Sequence, residues 1–146
     1  MEQIRQARAT WNGNLAAGRG TVRSGTSGAF PEMPTTWASR FEEAQGRTSP
    51  EELLAAAHAS CFSMAFSGDL SKAGFPPEHV DVTATVTIRK LDRWTVVASA
   101  LEVRGKVPGI KTAQFREIAA GAKDNCPISR ALKGNVELSV KATLAR

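Results

Sequence analysis

A chain of 146 residues, 42% hydrophobic and 23% charged, has the size and balance of a single globular domain spanning 1–146, with little room for a second. Its net charge of +5 raises nucleic acid as a partner, but Arg23, Arg40, Arg47, Arg89, Arg104 and Lys123 stand singly in unrelated contexts, which argues against a basic binding run. The longest apolar stretch, Leu53 to Ala59, is broken by His58 and too short to span a bilayer, and Met1 to Thr10 lacks the apolar core of a signal peptide. A cytoplasmic protein without a membrane partner is expected.

The first elements are short strands, Ala7 to Trp11 and Gly20 to Ser24, set apart by turns around Gly13 and Gly18. Gly18 and Gly20 do not make a phosphate loop, because no Gly-Lys-Ser/Thr follows them. Residues Ser24 to Pro34 read as a loop, and Arg40 to Thr48 as a second mobile segment. Ser49-Pro50-Glu51-Glu52 then marks a helix start, with serine at the N-cap, proline at the first helical position and glutamate three residues after the cap. The helix should run to about Ala73, where Gly74 stops it. From Leu53 to Phe66 it is apolar or small on every face, and such a helix needs cover on every face. A chain this short cannot wrap it fully, so a second copy is expected to do so.

After Pro76-Pro77 the period changes to two. Val80, Val82, Ala84, Val86 and Ile88 share one face of a strand, and a turn near Asp92 leads to a second strand, Trp94 to Arg104, forming a hairpin. Thr112 to Asp124 reads as an amphipathic helix, Cys126-Pro127 opens a short helix ending near Gly134, and Val136, Leu138, Val140, Ala142 and Leu144 alternate in a closing strand. Helices segregated from an antiparallel sheet make the class α+β.

Two cysteines in a reducing compartment are thiols with chemistry or buried fillers more readily than a permanent disulfide. Cys61 lies inside the long helix, where a small buried hydrophobe is the simple reading and no helix end lowers its pKa. Cys126, directly before Pro127, fits an N-cap whose backbone N–H groups favour a thiolate. His58 and Cys61, three apart, share a helix face and with Cys126 make a conceivable zinc set, but without a Cys-x-x-Cys pair the signal is weak. A hydrogen-bonded core histidine is the plainer reading of His58.

The run Ser49 to Met64 (SPEELLAAAHASCFSM) closely resembles the central helix of the OsmC/Ohr family. So do Trp11-Asn12-Gly13, Gly18-Arg19-Gly20-Thr21-Val22, Arg40-Phe41-Glu42, Ala73-Gly74-Phe75, Val107-Pro108-Gly109-Ile110 and Cys126-Pro127-Ile128-Ser129 with Leu132-Lys133, in the family's order over nearly the whole chain. The resemblance is nearer the osmotically inducible branch than the organic-hydroperoxide-resistance branch. It implies an intertwined homodimer in which antiparallel sheets enclose long central helices. It also implies a thiol-dependent peroxidase reducing organic hydroperoxides to alcohols, with no bound cofactor and an external dithiol, lipoyl or thioredoxin-type, as reductant. The attacking thiol carries over to Cys61, the resolving thiol to Cys126, the activating arginine to Arg40 and its carboxylate partner to Glu51. The chain departs from the pattern after Arg40, with a longer link to Ser49-Pro50, which makes Arg47 a substitute for Arg40. Glu51 and Cys61 are ten positions apart on one helix, about 15 Å, too far for one arginine to serve both easily. Either the arginine spans a longer path, or an antiparallel partner helix brings Glu51 of one subunit toward Cys61 of the other in a composite site. The non-enzymatic alternative is a dimer holding a hydrophobic ligand, its cysteines inert.

Overall fold

A computed structural model describes residues 1–146. The chain divides into two units, Met1–Leu53 and Leu54–Arg146.

In the first unit, β1 (Ala7–Asn12), β2 (Arg19–Ser24) and β3 (Met33–Thr35) form an antiparallel sheet in that order. The segment read as a loop up to Pro34 thus ends in an edge strand, where a proline costs no ladder hydrogen bond. The segment read as mobile from Arg40 follows a single 3-10 turn, Ala38–Arg40, and bends back through Gln45 (φ 49) and Gly46 (φ 77). Thr48 then bridges to Thr35. No hydrophobic residue of this unit is buried, and all six residues of β1 are exposed.

The helix α1 (Pro50–Lys72) begins and ends where the local chemistry dictates. The Ser49 hydroxyl accepts the Glu52 backbone N–H at 3.1 Å, while the Glu52 carboxylate takes the Thr48 hydroxyl at 2.7 Å instead of closing the reciprocal half of a capping box. Gly74, at φ 88, supplies the left-handed stop.

In the second unit, β4 (His79–Lys90) and β5 (Trp94–Lys106) form the expected hairpin, and α2 (Thr112–Asn125) and α3 (Pro127–Leu132) lead to β6 (Glu137–Leu144). β6 lies beside β5 but runs parallel to it, so this sheet is mixed and not wholly antiparallel. The physical reason is the connection: parallel neighbours need a long crossover, and α2 with α3 provides one.

Phe62, Phe66 and Leu70 of α1 are fully buried, four residues apart on one face, with His58 a turn before them. Phe66 meets Phe115 of α2 edge-on at 5.1 Å, and Leu101 and Val103 of β5 complete the core. Gly105 is required there, since a Cβ would come within 2.9 Å of the Phe115 ring. The opposite stripe of α1, Ala56, Ser60 and Met64, is exposed, Met64 at 68%. Within one chain the apolar helix is therefore covered on one side only.

Candidate active site

The four residues singled out in the sequence assemble as two pairs, one in each unit. Arg40 ends the 3-10 turn, which Ser39 ties down: its buried hydroxyl lies 2.9 Å from the carbonyls of both Thr36 and Thr48. Fixing that turn against the entry to α1 brings Arg40 to Glu51. The contact is a two-point fork, with Nη2 donating to Oε1 at 2.6 Å and Nε to Oε2 at 3.2 Å. The guanidinium also lies against the rings of Trp37 and Phe41, at 5.3 and 5.4 Å from their centroids. Arg47, the sequence alternative, reaches Gln45 at an exposed position, so it is Arg40 that pairs with Glu51. Beside Arg40 opens a cavity of about 420 Å³, lined largely by apolar side chains including Trp11, Leu15, Val22, Trp37 and Leu53.

Cys61 and Cys126 are both free thiols, brought together by the packing of α1 against the α2–α3 junction, and Cys126 has no solvent exposure. Cys126 is the N-cap of α3 with proline following, as read from the sequence. The two thiols differ electrostatically. Burial raises the Cys61 pKa, and the neighbouring Cys126 raises it further, against an opposing contribution from the Ile128 backbone N–H. Burial also works to raise Cys126. The backbone N–H of Ser129, the Cys61 thiol, the Ser129 hydroxyl and the Ile128 N–H outweigh it, and the net shift is downward. Cys126 is thus the readier thiolate of the two, with Cys61 acting as donor toward it.

His58 is the hydrogen-bonded core histidine of the plainer reading. It is fully buried, with Nδ1 2.6 Å from the Ser99 hydroxyl and Nε2 2.8 Å from the Ser129 hydroxyl, and burial lowers its pKa. Both ring nitrogens are committed to serines, which leaves neither free to join the thiols around a zinc ion. Ser99 and Ser129 were not singled out in the sequence as site residues. The spacing of Ser129, three after an N-cap cysteine, is the signal that would have found it.

With two free thiols brought together where α1 meets the α2–α3 crossover, the molecule is a small α+β protein with a paired-cysteine site. The model of the family described as OsmC-like protein matches residues 43–141. Peroxiredoxin OsmC of Escherichia coli (strain K12) is 42% identical over 135 residues, which cover 92% of this chain and 93% of that one. Organic hydroperoxide resistance protein OhrA of Bacillus subtilis (strain 168) is 29% identical over 115 residues, 77% of this chain and 76% of that one. The crystal structure of an organic hydroperoxide resistance protein from Elizabethkingia anophelis has the same fold, with a TM-score of 0.76 at 22% identity, over 99% of this chain and 100% of that one. This chain belongs to the OsmC family, on its OsmC branch. No helix is long and apolar enough to cross a membrane.

Proposed function

We propose that this protein is a thiol-dependent peroxidase that detoxifies organic hydroperoxides as a homodimer. The observation that carries the reading is the meeting of two free thiols, Cys61 and Cys126, whose environments push their protonation apart. In the proposed cycle the Cys61 thiolate attacks the outer peroxide oxygen, the O–O bond breaks, and the departing alkoxide takes a proton to become an alcohol. Cys61 is left as a sulfenic acid. The Cys126 thiolate attacks that sulfur, hydroxide leaves as water, and the resulting disulfide is reopened by an external dithiol, lipoyl or thioredoxin-type.

Attack requires a cation near Cys61, because burial and Cys126 both hold its proton on. Arg40 is the proposed source: its Glu51 fork and ring contacts orient a guanidinium. The helix rise separating Glu51 from Cys61 favours delivery from the partner subunit, so the site is composite. The apolar cavity beside Arg40 fits a greasy hydroperoxide. A steady-state assay with cumene hydroperoxide, hydrogen peroxide and several dithiols tests this. Faster turnover of the organic substrate is expected, with loss of both free thiols after one equivalent in the absence of reductant. Retention of both thiols in excess cumene hydroperoxide would leave only the ligand-binding reading.

The dimer has independent support. The first unit buries no hydrophobic side chain, and α1 leaves its Ala56–Ser60–Met64 stripe open. Large contiguous apolar surfaces commonly mark interaction sites, and two-fold pairing is the commonest arrangement of like chains. Since the interface would complete the core, the melting midpoint should rise with protein concentration. A folded monomer by light scattering at micromolar concentration would overturn both the dimer and the composite site.

A further inference from the structure

The cycle just proposed gives His58 no task, yet this is a fully buried titratable ring held by two fully buried serines, one on β5 and one on α3. The direction of this chain depends on the ring tautomer, and hydrogen-bond accounting together with the Ser129 contact to the Cys126 sulfur favours one of the two. A neutral imidazole offers one donor and one acceptor, and a serine hydroxyl has one proton to give. The Ser99 hydroxyl is bonded to Nδ1, and a buried hydroxyl proton left unused is costly, so Ser99 donates there. Nδ1 is then the bare nitrogen, and the ring proton sits on Nε2. That proton goes to the Ser129 oxygen at 2.8 Å, which leaves the Ser129 hydroxyl hydrogen free to turn to another acceptor. The acceptor at hand is the Cys126 sulfur, on which the Ser129 side chain acts as a donor. In the opposite tautomer Ser129 would donate to Nε2 and turn its hydrogen away from sulfur.

We propose that Ser129 is a further catalytic residue, donating to the Cys126 sulfur, and that His58 and Ser99 are positioning residues whose hydrogen bonds set the direction of that donation. The chain Ser99–His58–Ser129 thereby favours the thiolate form of the resolving cysteine and orients its sulfur for the Cys61 sulfenic acid. Burial supports the arrangement by keeping His58 neutral. The titratable groups facing Cys126 are Cys61 directly and His58 through Ser129; the remaining groups acting on it are backbone N–H groups. The catalytic part of the inference rests on reading Cys126 as the resolving cysteine.

The test separates the two. In a Cys61→Ala background, ultraviolet thiolate absorbance follows the titration of Cys126 alone, without any peroxide. Ser129→Ala should move that titration to higher pH and Ser129→Thr should restore it. Ser99→Ala, which does not touch the sulfur, should move it in the same direction as Ser129→Ala, an effect that packing alone would not produce. In the protein with both cysteines, Ser129→Ala should slow disulfide closure after peroxide treatment about tenfold, the order expected for losing one hydrogen bond to an anion. An unchanged Cys126 titration in both Ser129→Ala and Ser99→Ala would overturn the hydrogen-bond assignment. A shifted titration in a protein whose cysteines never form a disulfide with cumene hydroperoxide would instead overturn the resolving role and leave the chain of donors standing.

Discussion

Replacement of Cys61 by serine is expected to abolish peroxide turnover, because a serine hydroxyl does not become a nucleophilic anion near neutral pH. Replacement of Cys126 by serine should leave the first oxidation intact. The Cys61 sulfenic acid would then have no partner, and further peroxide would carry it to the sulfinic acid. Stopped-flow kinetics with one equivalent of cumene hydroperoxide, followed by intact mass, reads both outcomes. The experiment has force because the local electrostatics point the other way: Cys126, not Cys61, is the thiol whose pKa is lowered within the unit that holds them. Loss of the stoichiometric first reaction in the Cys126 variant, with its retention in the Cys61 variant, would reverse the two roles. If the roles hold, a charge from outside this thiol pair must act on Cys61.

Arg40→Met tests that charge. It removes the guanidinium while keeping a flexible apolar stem against Trp37 and Phe41, so the expected result is a folded protein whose peroxide attack is slowed. The slowing should lie between about tenfold and a hundredfold, the loss of one charge-assisted hydrogen bond at about 1.5–3 kcal/mol. Arg47→Met, at a position where the guanidinium reaches only Gln45, should be close to normal. Glu51→Gln should fall between the two, because an amide still accepts one arm of the fork but no longer anchors a cation with full charge. The second-order rate constant for cumene hydroperoxide, measured over a pH series, checks all three. A normal Arg40 variant beside a slow Arg47 variant would transfer the role.

Much of the architecture is local chemistry and was legible for that reason. Ser49, Pro50 and Glu52 start α1 through hydrogen bonds confined to one turn, Gly74 ends it through its own φ, and the period-two runs around Val80–Ile88 and Leu138–Leu144 make strands in any sheet that covers one face. The run of apolar and small residues from Leu53 to Phe66 likewise announced a need for cover before any neighbour was known.

Three features depended on tertiary structure. The direction of β6 is one: alternation is identical in parallel and antiparallel strands, and only the route of α2 and α3 decides between them. The choice between Arg40 and Arg47 is another, since both precede α1 and only the Ser39 tether turns one of them onto Glu51. The third is His58, whose partners lie 41 and 71 residues further along the chain. Sequence by itself determined that the chain carries an apolar central helix, an α+β pattern and two thiols in the setting of the OsmC family. Tertiary structure decided which side chains those thiols and that arginine meet, because hydrogen-bond partners are set by packing across long chain separations, which no local pattern encodes.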